Sequence, residues 1–304
     1  MREGRLPNII IAGTVKSGTT SLFTFIVQHS QICGSDIKET CYFLPLRYAG
    51  GCLPVSEYRS HFRHCRGEMY VLESTPGYFE GGQILARAIK KTLGKPRIII
   101  VLRDPVDRLY SFFRYAKAQV NLAEGLSFDQ YISQCLARPM SERIKQENDA
   151  FWGVDGGRYV NYLPEWFDVF GSERIRVVFF DDLVRNPVAV LKDLATWLEI
   201  RGDEFDHIQV EAENKTVHYK IAGLQKASIR FNKALEPFFR RIPSLKKIIR
   251  TAYYRLNAEN SPVDVDDQAL VRAETLYRSD NKSLTSFLQA QGYQRLPSWL
   301  QDDC

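Results

Sequence analysis

No stretch of the chain carries the roughly 18–20 consecutive apolar residues that a membrane-crossing helix requires. Residues 1–8 are short and polar. They lead straight into Ile9, Ile10 and Ile11, a run the length of a strand and not of a signal-peptide core, so a cytoplasmic protein is expected. The six cysteines, at 33, 41, 52, 65, 135 and 304, form no Cys-x-x-Cys pair. That absence argues against a disulfide framework and suits reduced thiols in a cytosolic enzyme. His61, His64 and Cys65 are spaced as metal ligands might be, but no second cluster accompanies them, and no metal site is expected. Internal repeats and low-complexity tracts are also missing. With 44 % hydrophobic and 12 % aromatic residues, the chain can bury a core, which excludes general disorder.

What is present is an alternation of apolar runs and helical periodicities over residues 8–200. Strands are expected at 8–12, 69–73, 97–102 and 174–180. Helices are expected from Thr19, over 106–117, over 158–170 and over 182–198. The run at 97–102, RIIIVL, is apolar almost throughout, as a parallel strand buried on both faces must be. Strands alternating with helices predict an α/β fold with a P-loop-NTPase-like central parallel sheet flanked by helices. After about residue 200 the strand pattern stops. A basic, helix-like arm at 215–258 and a final helix over 264–289 complete a single domain, 1–304, with a helical C-terminal part. The net charge of +5 is concentrated in that arm, where residues 220–255 hold ten lysines and arginines against one acid, Glu236. The arm either meets an anion or is a solvated helical face.

Between the first strand and the first helix, residues 13–20 read GTVKSGTT. A glycine-bounded turn in this position aims backbone N–H groups and a helix N-terminus at an anion, and the hydroxyls of Ser17, Thr19, Thr20 and Ser21 add donors. The loop is not a Walker A motif, which places Lys-Ser/Thr directly after the second glycine. Here the lysine, Lys16, lies inside the loop and Thr19 follows Gly18. NTPases neutralise a transferring phosphoryl group with a metal held partly by that displaced hydroxyl. A less charged group needs less, and one lysine near the bridging oxygen suffices to stabilise the leaving phosphate. A second anchor stands at the end of the strand at 97–102: Arg103, at the sheet edge where open α/β folds bind ligands, and Ser111, about two turns into the next helix.

KSGTTSL followed by LRDPVDRLYS resembles the paired signatures of sulfotransferases that use 3′-phosphoadenosine-5′-phosphosulfate, PAPS. The resemblance implies that Lys16, Ser17, Gly18, Thr19, Thr20 and Ser21 bind the 5′-phosphosulfate and that Arg103 and Ser111 bind the 3′-phosphate. IKETCYF at 37–43 and ESTPGYF at 73–79 are similar to the heparan-sulfate-type branch, and the first implies that Glu39 is the catalytic base. GRY at 157–159 with Trp166, FDDL at 180–183 with Asn186-Pro187, and Asp280-Asn281 resemble further landmarks of bacterial and carbohydrate-type members. One departure is Ser74, where carbohydrate enzymes often carry lysine; it weighs against a heparan-like acceptor. In the basic arm, Lys215, Lys220 and Arg230 are candidates for contacts to the nucleotide.

The expected reaction moves a sulfuryl group from PAPS to a hydroxyl or amine of a small-molecule or sugar acceptor, leaving the product PAP, with no metal. Glu39 takes the acceptor proton and Lys16 stabilises the leaving phosphate. Tyr42, Ser74, Tyr78 and Trp152 are candidates for the acceptor pocket. His29 is the rival base, although a histidine late in a helix more often serves the C-terminal dipole. His61, His64, His207 and His218 have no motif support. Two other readings stay open. A P-loop kinase or NTPase would use Asp181 and Asp182 after the strand at 174–180. A non-catalytic polyanion-binding protein would use the basic arm with its interleaved aromatics. Neither nucleic acid beyond the PAPS nucleotide nor a membrane span is expected as a partner.

Overall fold

The computed structural model describes residues 4–210, 218–219, 258–259 and 267–301. Lys215, Lys220 and Arg230, and with them the expected basic helices at 215–258, lie outside the described residues. His218–Tyr219, described within that span, pair antiparallel with Ala258–Glu259.

Five parallel strands form the sheet: β1 Ile9–Gly13, β2 Ile32–Gly34, β3 Tyr70–Ser74, β4 Arg97–Leu102 and β5 Ile175–Phe179, in the order β2-β3-β1-β4-β5. Ile9 pairs with Leu72 on one side and Arg97 on the other, which puts β1 at the centre. Every side chain from Ile9 to Ala12 and from Ile98 to Leu102 is fully buried. Alternate residues face opposite layers. Ile10, Ile98 and Ile100 join one core, and Ile9, Ile11, Ile99 and Val101 join the other. Each such side chain contributes about 1.5–3 kcal/mol by leaving water, so the unbroken apolar runs belong in the middle of the sheet.

The helices are α1 Thr19–Ile26, α2 Val55–Ser60, α3 Gly82–Leu93, α4 Pro105–Ala118, α5 Phe128–Ala137, α6 Met140–Arg143, α7 Leu163–Phe170, α8 Phe180–Arg185, α9 Pro187–Leu198 and α10 Asp267–Ala290. Helices α1 and α9 cover one sheet face, and α3, α7 and the end of α10 cover the other. The first half of α10 packs through Ala269, Ala273 and Tyr277 on a third cluster built by α4 and α5.

Three elements differ from expectation. The helix expected over 158–170 is regular only from Leu163, because Pro164 lacks an N–H and serves best at a helix start; short 3₁₀ turns precede it. The stretch over 182–198 is two helices, α8 and α9, divided at Asn186, whose Oδ1 accepts from Ala189 N at 3.1 Å while Pro187 opens α9. Strand β2, three residues long, has no sequence signal of its own. It carries the clearest correction: Cys33 is disulfide-bonded to Cys65, not a free thiol. The two are 32 residues apart, and only the pairing of β2 beside β3 brings them together. Cys41, Cys52 and Cys135 are free thiols.

Candidate active site

The loop at 13–20 leaves β1 at the carboxyl end of the sheet. Thr14 ties it down: its N and Oγ1 both donate to Val101 O, at 3.0 and 2.9 Å, and Oγ1 lies 2.6 Å from Ser17 Oγ. A side chain on Gly13 would strike Phe79, and one on Gly18 would strike Phe180. Gly18 also has φ +80°, a backbone that favours glycine. Lys16 adopts φ +70° as well. Its ammonium lies 4.7 Å from the centre of the Tyr115 ring. Burial lowers the Lys16 pKa to about 8, helped by the Arg103, Arg114 and Lys38 charges and opposed by Glu39. Ser17 is fully buried with its hydroxyl turned to Thr14. Its side chain therefore frames the loop instead of lining the cavity, a departure from the expected ligand contact.

Arg103 follows β4. Its Nη1 donates to Lys16 O at 3.3 Å, its Nη2 pairs with Asp107 Oδ2 at 3.2 Å, and its guanidinium lies 4.6 Å from the centre of the Phe180 ring. Nε is buried without a hydrogen-bond partner. The neighbouring Asp104 caps α4, accepting from Val106 N and Asp107 N. The guanidinium is thus turned back toward the loop, and Ser111, on α4, lines the same cavity.

That cavity holds about 750 Å³. Lys16, Gly18, Thr19, Thr20 and Ser21 form one wall, Arg103, Ser111 and Tyr115 another, and Glu39, Cys41 and Thr75 a third. Glu39 sits in a turn with φ +66°, its N donating to Ser74 O at 2.9 Å and its carboxylate 2.6 Å from Lys38 Nζ. Half of its side chain is exposed. Glu73, at the end of β3, is wholly buried and accepts from Thr40 Oγ1 at 3.1 Å, Thr75 Oγ1 at 2.5 Å and Tyr58 OH at 3.2 Å. Burial raises its pKa to about 7 against the pull of those hydroxyls and of Tyr78.

At the far end, Arg47, Glu80, Asp149 and Trp152 line the cavity. Glu80 is held between Arg47 at 3.0 Å and the fully buried Arg108 at 3.3 Å. Trp152 is 6 % exposed and carries the Arg47 guanidinium 4.8 Å from its ring centre. The other expected acceptor contacts lie off the cavity. Tyr42 stacks on Tyr58 at 4.2 Å, Tyr78 is buried with its hydroxyl accepting from Phe43 N, and Ser74 is fully buried. His29 is buried against Phe205 with Nε2 2.7 Å from Arg201 O, away from the cavity. Sequence spacing offered no sign of Arg47, Glu80, Tyr115 or Asp149, which only the fold assembles.

Two rival sites dissolve on inspection of their ligands. Asp181 accepts from Trp299 Nε1 and Asp182 pairs with Arg185, and neither lines the cavity as a metal-holding acid would. His61 pairs with Asp36 at 2.8 Å. Cys33, His64 and Cys65 bring potential ligand atoms within 4.8 Å of one another, but the disulfide occupies both sulfurs.

Residues 6–241 match the family described as the sulfotransferase domain. The chain belongs to this family. The bifunctional heparan sulfate N-deacetylase/N-sulfotransferase 1 of Caenorhabditis briggsae is 25 % identical over 71 % of the chain, and that of Caenorhabditis elegans is 22 % identical over 98 %. The chain spans only 25 % and 31 % of those two proteins' lengths. Among solved structures, a sulfotransferase from Alicyclobacillus acidocaldarius superposes with a TM-score of 0.60, at 24 % identity, over 79 % of this chain and 96 % of its own. The parallel sheet with flanking helices is thus a sulfotransferase fold, and the chain is a transferase.

Proposed function

We propose that this sulfotransferase takes its sulfuryl group from PAPS and passes it to a hydroxyl or amine of a sugar or small-molecule acceptor. The observation that supports this most is the convergence of Lys16, Thr19, Thr20, Arg103, Ser111 and Glu39 on one cavity from separate elements. The loop amides, the start of α1 and the hydroxyls of Thr19, Thr20 and Ser21 would hold the 5′-phosphosulfate. Arg103 and Ser111 would hold the 3′-phosphate. Glu39 accepts the acceptor's proton as its oxygen or nitrogen bonds to sulfur. The bond from sulfur to the 5′-phosphate oxygen breaks, and Lys16 stabilises the charge that develops on that oxygen. No metal is assigned a part, because the loop lacks the lysine–hydroxyl pair that positions one in NTPases.

Glu39→Gln tests the assignment of the base. Turnover of PAPS with a panel of sugar and phenolic acceptors, in EDTA, is expected to fall about 10²–10⁴-fold, while PAP still raises the melting temperature. Near-normal turnover by the variant would remove Glu39 from the mechanism.

A further inference from the structure

We propose that Glu73 is a positioning residue for Glu39, acting by setting the direction of the hydroxyl groups that hold the turn at 39–43. This rests on the reading of Glu39 as the base. The turn is costly. Glu39 and Cys41 both have left-handed backbone, φ +66° and +55°, which residues with a side chain adopt only when their surroundings impose it. The surroundings here are polar atoms at the end of β3. Glu39 N donates to Ser74 O, Cys41 N to Thr75 Oγ1 at 3.2 Å, Tyr42 N to Thr40 Oγ1 at 3.5 Å and Phe43 N to Tyr78 OH at 3.3 Å. Three of those four acceptors are hydroxyls, and a hydroxyl accepts reliably only when its own proton is committed elsewhere.

Glu73 commits two of the three. Thr40 and Thr75 donate to its Oε1. An ionised carboxylate can only accept, so each proton points inward and each lone pair faces the turn. Among the described residues no lysine, arginine or histidine pairs with Glu73, so its work is not that of a salt bridge. A fully buried carboxylate without a cation is expensive. Here it sits directly beneath the segment that carries the proposed base.

Protonation would reverse the effect. Protonated on Oε1, Glu73 becomes a donor there, the Thr40 or Thr75 hydroxyl must turn, and a main-chain N–H of the turn loses its acceptor. The other groups around Glu73 are Tyr58 from α2, Tyr78 from the turn before α3, and Cys41 with the Lys38–Glu39 pair from the turn itself. Burial holds the tyrosines well above their usual range and raises Cys41 to about 11, so none of these three changes charge near neutrality.

The test compares wild type with Glu73→Gln, reading kcat, acceptor KM, PAP affinity and the pH profile. The amide donates where an oxygen accepted. We expect kcat at pH 8 to fall about 10–100-fold, as for misplacement by about an ångström, with PAP affinity unchanged. Wild-type kcat should fall as pH drops through about 7, and Glu73→Gln should lack that acid limb. Stability should move the other way. Burial favours protonated Glu73 in the fold, so the wild type gains stability relative to Glu73→Gln as pH falls from about 7 toward 4.5. If Glu73→Gln does not fold, Thr75→Val and Tyr58→Phe replace it. Thr75 reaches a turn N–H and Tyr58 does not, so the larger kcat loss should belong to Thr75→Val. Wild-type kcat and an unaltered acid limb in Glu73→Gln, or equal losses in the two substitutes, would overturn the proposal alone. Absence of PAPS turnover in the wild type would overturn the sulfuryl-transfer reading and this assignment with it.

Discussion

Lys16 occupies an unusual position for a cation: left-handed backbone, near an aromatic ring, with Arg103 and Arg114 acting to repel its charge. Its pKa of about 8 lies below the ordinary 10.5, so in the empty protein the charged form is penalised by burial before any ligand arrives. A dianionic ligand reverses that penalty and draws the proton back. Affinity for PAP should therefore be constant below pH 8 and decline above it, by at most about tenfold per pH unit. Calorimetry at pH 7 to 9 in two buffers of different ionisation enthalpy would show proton uptake growing across that window. A pH-independent affinity would mean that Lys16 does not face the bound anion.

At the scale of elements, the acceptor end of the cavity depends on one buried acid. Glu80 joins Arg47 of the 3₁₀ turn Leu44–Tyr48 to Arg108 of α4. Glu80→Ala would leave the buried Arg108 without a carboxylate and Arg47 with only Asp149, 3.8 Å away, and a loss of about 3–5 kcal/mol is expected in denaturant unfolding. A loss below about 1 kcal/mol would show the triad to be incidental. The elements differ in how far the sequence disclosed them. Four of the five strands and the loop at 13–20 were legible because parallel strands buried on both faces must be apolar, and a phosphate-type loop must begin and end on glycine. Strand β2 was not, being three residues long. Tyr78, expected as an acceptor contact, fills the core instead for a related reason: an aromatic residue looks the same in sequence whether it lines a pocket or fills a core. Glu73 stands in the sequence as one letter of ESTPGYF, since burial without a cation partner is a property of the fold.

Across the whole molecule, the site draws on segments far apart in the chain, from Val15 to Val184, brought together at the carboxyl edge of one sheet. The Cys33–Cys65 disulfide pins β2 to the segment after α2, which also contacts the approach to Glu39 through Asp36 N and His61 O. It removes one of the grounds for expecting a cytoplasmic protein, since such bonds persist in oxidising compartments. Peptide mapping after alkylation should find Cys33 and Cys65 protected until a reductant is added, with the exposed Cys52 labelled from the start. Labelling of Cys33 or Cys65 in the native, oxidised protein would refute the pairing.

In the proposed reaction two anion anchors, the loop around Lys16 and the pair Arg103 and Ser111, grip two phosphates of one nucleotide without metal. Calorimetric titration with PAP and with adenosine 5′-phosphate, which lacks the 3′-phosphate, tests it most directly. In EDTA, wild type should bind PAP at least about a hundredfold more tightly, the strength of charge-assisted hydrogen bonds to one phosphate, and Arg103→Ala should erase most of that difference. Equal affinity for the two nucleotides, or PAP binding that requires magnesium, would contradict the account.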